Sequence, residues 1–532
     1  MADRHDAVVV GAGFAGMYML HRLRDLGLSV RVFEAGGDVG GTWYWNRYPG
    51  ARCDVESMEY SYGFSEDLQQ EWEWSERYAP QPEILRYANH VADRFDLRRD
   101  MQFDTRVVSA AFDDGSGYWT VRTSDGGDCT AQFVIMATGC LSSTNVPDFD
   151  GVDSFEGETY HTGQWPQEGV DFTGKRVGVI GTGSSAVQAV PIIAEQAREL
   201  TVFQRTATYA VPAHNRPLDP EEQRAIKADY RGLRERNRQS MVAFGSRTPG
   251  NEAFATVTDE DERARIFEER WNQGGLPFLG AFGDLLFDPA ANELVAEFVR
   301  NKIREIVSDP AVAELLCPRT VIGCKRLCVD SGYYETFNRP NVRLVDVSER
   351  PIDQLTAHGL VTGGTEHQLD CIVFATGFDA MTGALMAIDI KGKDGATLRD
   401  RWSAGPRTYL GLNVAGFPNL FTITGPGSPS VLTNMVASIE HHVEFIADAI
   451  AYMKAQGFNR IEAQPDAQEA WVDHVNMIAN LTLYPTCNSW YLGANVPGKP
   501  RVFMPLLGFP PYVEKCRDVV AKGYEGFALS SR

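Results

Sequence analysis

Two glycine-rich stretches carry the clearest chemistry in the chain. Gly11, Gly13 and Gly16 form GxGxxG, and Gly181, Gly183 and Ala186 form GxGxxA. In such a loop the first glycine permits a tight turn and the second lets the backbone approach a pyrophosphate. The third lets the helix pack on the strand with its N-terminus facing the phosphates. Glu34 ends the strand after the first loop, eighteen residues past Gly16. A carboxylate there accepts bonds from ribose hydroxyls and repels a 2′-phosphate, so this site suits FAD or NAD. The matching place after the second loop holds Gln204 and Arg205. A cation there pairs with a 2′-phosphate, so the second site suits NADP. Thr182, Gly183, Ser184, Ser185 and Gln188 would line it. Either loop alone could also be a turn that merely packs a helix on a sheet.

The flanking patterns supply the elements that position these residues. DAVVVGAGFAG (6–16) reads as a buried strand and a turn, MYMLHRLRDLG (17–27) as a helix and LSVRVFEAG (28–36) as a second strand. KRVGVIGTGSSAVQ (175–188) and LTVFQR (200–205) repeat that βαβ order. Residues 37–62 read as an ordered aromatic loop, and 220–309 as charged helices. Strands are expected at 133–139, 342–347 and 371–379, and a long helix from about Met435. The expected class is α/β: two interleaved Rossmann-like dinucleotide-binding domains with a helical insertion. The FAD-binding domain would take 1–140 and 384–532, the NADP-binding domain 141–212 and 328–383, and the insertion 213–327.

Two dinucleotide sites imply hydride transfer from NADPH to FAD, and the electrons then need an acceptor. A redox disulfide would need a close cysteine pair beside the flavin. Cys53 has no near neighbour, and Cys324 and Cys328 flank Lys325 and Arg326 in an apparent linker. Nine scattered cysteines suit reduced thiols in a cytosol. Dioxygen remains as the acceptor.

FEGETYHTGQWP (155–166), between the two loops, places Phe155, Gly157, His161 and Trp165-Pro166 at spacings of two, four and four. This resembles the FxGxxxHxxxW[P/D] fingerprint of the Baeyer–Villiger monooxygenases, matching at every specified position. The resemblance extends through GGTWYWNRYPGARCD (40–54), two ATG segments (137–139 and 375–377), CKRLCVDSGYYETFNRPNV (324–342) and GPGSPS (425–430). GPGSPSVLTNM looks closer to the phenylacetone and steroid monooxygenases than to the cyclohexanone enzymes. The resemblance implies that NADPH reduces FAD and that O2 then gives a C4a-peroxyflavin. Attack on a ketone forms a tetrahedral adduct, which rearranges to an ester or lactone. It also implies a monomer.

By the same resemblance Arg326 is the active-site cation and Asp54 the carboxylate that orients it. An arginine suits this task because it stays charged when desolvated. Lys325 would join Arg205 at the 2′-phosphate, and Trp490 would lie near the nicotinamide ribose. Thr42, Trp43, Tyr44, Trp45, Tyr60, Val107 and Met435 would contact the flavin cofactor. The fingerprint would lie in an interdomain linker, with His161 coupling domain motion to the cycle. A structural Arg–Asp pair, and aromatics serving only as core, fit the same residues.

Composition narrows the partners. A net charge of −21 disfavours nucleic acid and anionic membranes. No run of eighteen apolar residues suggests a membrane span, the N-terminus lacks a signal-peptide layout, and a cytoplasmic protein is expected. No metal constellation stands out; His441 and His442 are adjacent on the long helix and would face different directions. Rival readings are an N- or S-oxygenating flavin monooxygenase, an uncoupled NADPH oxidase and an inactive nucleotide sensor. The Trp-Pro ending and Arg326 speak against the first.

Overall fold

The two glycine loops sit on separate sheets in the computed structural model, which describes residues 3–494, 496–500 and 508–531. The first sheet runs in the order Asp389–Lys391, Val107–Asp113, Tyr118–Thr123, Asp128–Met136, Asp3–Val10, Val30–Phe33, Met101–Gln102. Leu420–Thr422 also pairs with Asp128–Met136, beside Val134 to Met136. The second sheet is wholly parallel: Val342–Asp346, Glu199–Gln204, Arg176–Ile180, Cys371–Phe374, Glu158–His161. Continuous runs such as Ala7–Val10 and Cys371–Phe374 are buried along their whole length, as strands covered on both faces must be.

Each glycine loop is pressed against an ATG segment. Gly11 has φ 106°, and a Cβ there would lie 2.6 Å from the Ala137 carbonyl oxygen. Gly181 has φ 111°, and its Cβ would lie 2.4 Å from the Ala375 carbonyl oxygen. The two units therefore solve one packing problem in the same way.

The insertion owes its helices to local signals. Pro220–Ala228, Pro289–Ile306 and Pro310–Leu316 each begin with proline, preceded by an aspartate whose carboxylate caps the first turn. The insertion leaves and returns through two short parallel strands, Ala210–Pro212 and Cys328–Asp330. That return carries Lys325 and Arg326 back toward the second glycine loop, where Ser184 Oγ lies 3.3 Å from Cys328 Sγ.

Three features depart from the sequence reading. The antiparallel strands Val107–Asp113 and Tyr118–Thr123 extend the first sheet, for which the sequence suggests strands only within 6–16, 28–36 and 133–139. The aromatic loop contains a helical turn, Thr42–Trp45. The fingerprint is not a plain linker: Glu158–His161 is an edge strand of the second sheet, paired with Cys371–Phe374.

A Cβ at Gly16 would sit 1.8 Å from the Gly11 carbonyl oxygen, whereas one at Gly183 would meet nothing within 4 Å. Gly16→Ala should therefore destabilise the fold by about 1–3 kcal/mol. Gly183→Ala should cost less than about 1 kcal/mol. Urea unfolding of both variants checks this, and equal losses would contradict the packing argument.

Candidate functional site

Arg326 and Asp54 form a two-pronged ion pair. Nε donates to Oδ2 at 2.8 Å and Nη2 to Oδ1 at 2.9 Å, while Nη1 donates to the Val431 carbonyl at 2.6 Å. The side chains are only 18% and 25% exposed. Burial opposes the guanidinium charge, but the Asp54 carboxylate outweighs it and holds the group above the ordinary arginine value. Three of the five N–H donors are thus engaged by Asp54 and Val431, and the guanidinium also hydrogen-bonds the Tyr491 hydroxyl. The arrangement is a fixed cation able to stabilise an anion.

Asp54 is held by the loop that carries it. Cys53 N–H donates to Ala79 O at 3.2 Å and Gln81 N–H to Ala51 O at 2.8 Å. Trp43 Nε1 lies 3.2 Å from Tyr60 Oη, and Tyr44 Oη accepts from Gly37 N–H at 2.9 Å. Trp45 packs edge-on against Tyr44, while Thr42 is exposed.

An apolar cluster stands around the Arg326 end. It joins Cys140, Met381, Val431, Tyr484 and Tyr491, with Met435 and Trp490 packed against it. Tyr491 was missed in sequence although its neighbour Trp490 was not. Burial pushes its hydroxyl up to about 12 against the pull of Arg326. Ser489 Oγ donates to the Cys324 carbonyl at 2.6 Å, tying this segment to the approach to Arg326. The structure also brings Cys324 and Cys487 side by side, with Cα atoms 6.1 Å apart. Their separation of 163 residues hid this contact from any spacing rule. Within 484–510, residues 495 and 501–507 lie outside the described residues.

At the first glycine loop, Glu34 is buried and accepts from the Ala12 and Gly36 amides, each at 2.7 Å. Burial pushes its carboxyl up; the two amides oppose that. Gly13 faces Gly41 closely, since a Cβ on it would sit 3.3 Å from Gly41 Cα. Val107 opens its strand, buried. An acid without an ion-pair partner among the described residues fits a ribose diol.

At the second loop, Gly183 precedes the helix Ser184–Gln196, whose first turn has no side-chain cap. Lys325 is pushed below the ordinary lysine value, first by burial and then by Arg205. Among the described residues neither cation has a carboxylate partner. Two adjacent cations without an acid fit a phosphate. The other expected contacts are engaged within the protein. Thr182 Oγ1 donates to Thr206 O at 2.6 Å, and Ser185 bonds Tyr48. Gln188 accepts from Tyr48 Oη at 2.8 Å and donates to Arg52 O at 3.1 Å, which ties this helix to the loop carrying Asp54. Gln204 is buried and donates to Leu315 O at 2.7 Å, while its Oε1 has no partner.

The fingerprint residues are not brought to Arg326. Phe155 packs beside the second sheet, and Gly157 passes so close to Asp370 that a Cβ would lie 2.6 Å from its carbonyl oxygen. Trp165 is buried against Tyr160 and Phe172. His161 Nδ1 accepts from Gly163 N–H at 2.9 Å, and Nε2 lies 3.3 Å from Thr376 Oγ1 in the second ATG segment. Burial pushes its proton affinity down.

Comparison with known proteins gives a family. Residues 8–238 match the family described as pyridine nucleotide-disulphide oxidoreductase. A Baeyer–Villiger monooxygenase of Pseudooceanicola batsensis is 45% identical, covering 98% of this chain and 95% of that protein. A phenazine N-monooxygenase of Lysobacter antibioticus is 43% identical over 99% and 97% of the two chains. The solved structure of an oxidised steroid monooxygenase bound to NADP superposes with a TM-score of 0.94, at 54% identity and 99% coverage of both chains. The chain belongs to the Baeyer–Villiger monooxygenase family.

Proposed function

We propose that the chain converts ketones to esters or lactones. One oxygen atom comes from O2 and two electrons from NADPH: ketone, O2, NADPH and H+ give ester, NADP+ and water. The observation that carries this reading is the buried Arg326 clasped on Asp54 beside two nucleotide sites of different polarity.

FAD would be held by Gly11, Gly13, Gly16, Glu34, the Thr42–Trp45 turn, Tyr60, Val107 and Met435. NADPH would be held by Gly183 and the helix it opens, with Arg205 and Lys325 on its 2′-phosphate and Trp490 nearby. Bound FAD, reduced by NADPH, supplies the activation of O2. Arg326 stabilises the negative charge that develops on oxygen during the transfer. Asp54 fixes the guanidinium plane. The apolar cluster around Val431 and Tyr491 keeps water from weakening the interaction. His161 acts through geometry, joining the fingerprint strand to the second ATG segment.

The likeness to a steroid monooxygenase supports a bulky ketone as substrate. A second reading, oxygenation at nitrogen, draws on the phenazine N-monooxygenase relative. One aerobic assay separates them. Phenylacetone, cyclohexanone, a long 2-alkanone, progesterone and a phenazine are each supplied with NADPH, and esters, N-oxides and hydrogen peroxide are quantified. Ester formed in step with NADPH consumption is expected. Only N-oxide, or only peroxide, would sink the ketone reading. Arg326→Ala should lower ester formation by at least about 100-fold.

NADPH affinity should carry the pH signature of Lys325. A lysine pushed down by burial loses its charge earlier as pH rises, and the neutral form no longer attracts a phosphate. The KM for NADPH should therefore climb with pH from below the usual lysine range, and the KM for NADH should not. In Lys325→Met the climb should vanish. A climb that persists in this variant would assign it to another group.

A further inference from the structure

The carbonyl that steadies Arg326 comes from a loop in costly backbone conformations. Thr424 and Ser430 both lie in the left-handed region, with φ 54° and 44°. Non-glycine residues stay there only when the surroundings over-determine them. Ser430 Oγ donates to the Thr424 carbonyl at 3.2 Å, and the next carbonyl along, that of Val431, receives Arg326 Nη1 at 2.6 Å. The Thr424 hydroxyl donates to the Ile423 carbonyl at 2.7 Å, and the Thr424 amide donates to His442 Nδ1 on the long helix Met435–Gln456 at 2.9 Å.

The far side of that ring is equally determined. Tyr512, on the helix Phe509–Ala521, has its hydroxyl 2.9 Å from His442 Nε2 and 2.7 Å from the Leu410 carbonyl. A carbonyl only accepts, so the Tyr512 proton points to Leu410 and its oxygen accepts from Nε2–H. Nδ1 is then bare and accepts the Thr424 amide. His442 and Ser430 are fully buried, and Thr424 and Tyr512 nearly so. Burial, with His441 beside it, holds His442 well below the usual histidine value, in keeping with a neutral ring.

We propose that His442 is a positioning residue for Arg326, holding the Thr424 turn so that the loop presents Val431 to the guanidinium, with Tyr512 setting its tautomer. This rests on the reading of Arg326 given above. Without the Nδ1 acceptor the Thr424 amide is buried and unpaired, and the turn relaxes. Arg326 keeps Asp54 but loses its third bond. Electrons still arrive from NADPH, while oxygen transfer to the ketone becomes inefficient and the O2 leaves as hydrogen peroxide.

The test compares His442→Phe, His442→Asn, Tyr512→Phe and Arg326→Ala as flavin-loaded enzymes. Ester and peroxide per NADPH, kcat and ketone KM are measured, together with amide hydrogen exchange of the 420–432 segment. His442→Phe should lower kcat for ester by about tenfold with little change in KM, and raise peroxide in proportion. Exchange protection should fall in 420–432 but not in the strand Asp3–Val10. Asparagine offers an acceptor oxygen near the Nδ1 position, so His442→Asn should recover kcat to within about threefold of the parent. A folded His442→Phe with parental ester per NADPH would overturn the proposal, as would an equal loss in His442→Asn. Should His442→Phe fail to fold, Tyr512→Phe decides. A fall in kcat of about threefold with weakened protection supports the proposal, and unchanged values overturn it. Arg326→Ala that still makes ester would instead overturn the reading of Arg326 itself.

Discussion

A guanidinium taken out of water must be paired, and in this chain the partner lies 272 residues away. Much of the fold can be read as the means of closing that distance. The first nucleotide unit ends its aromatic loop on Asp54. The insertion returns through a two-stranded parallel pairing that sets down Lys325 and Arg326. The loop ahead of the long helix adds the Val431 carbonyl. Three separate stretches of sequence therefore meet at one charged group. Its bonds to Asp54 and Val431 use donors in a fixed plane, so small shifts of any stretch would reorient the guanidinium.

The pair also ties the electrostatics of the two cofactor sites to their neighbours. Asp54 pairs with Arg326, whereas Lys325, one residue earlier, has no acid partner among the described residues and feels Arg205. Adjacent residues thus face opposite situations: one cation is paired with a carboxylate, and the other has no carboxylate partner among the described residues. Glu34 supplies the complementary case at the first loop, an acid held by amides rather than by a cation. This division matches a ribose at one site and a phosphorylated ribose at the other.

Features with a local cause were legible in the sequence. The glycine loops, the strand–helix–strand order around them and the long helix from Met435 all follow from nearest-neighbour patterns. The aspartate–proline starts of the insertion helices were equally available at 219–220, 288–289 and 309–310. What stayed hidden is non-local or made of backbone. The Val431 carbonyl has no side-chain signal. The Cys324–Cys487 contact joins segments with no sequence relation. Gln188 and Gln204 occupy positions that read as cofactor contacts, yet both carboxamides hold neighbouring loops in place. The linker placing of the fingerprint comes from the family resemblance, and Glu158–His161 is too short to declare itself a strand without its partner Cys371–Phe374.

The two buried histidines show that a buried imidazole need not be an acid or a base. His161 and His442 have the same wiring. Each Nδ1 accepts a backbone amide, from Gly163 in one case and Thr424 in the other. Each Nε2 faces a hydroxyl, Thr376 or Tyr512, that itself donates to a carbonyl, of Asn145 or Leu410. Both rings are consequently fixed in one neutral tautomer, and protonation would set Nδ1–H against an amide N–H. Burial moves both proton affinities in the direction that prevents this. An imidazole so held is a rigid connector with one acceptor and one donor at a set angle. One connector joins the fingerprint to the second nucleotide unit, and the other joins the C-terminal helix to the loop over Arg326.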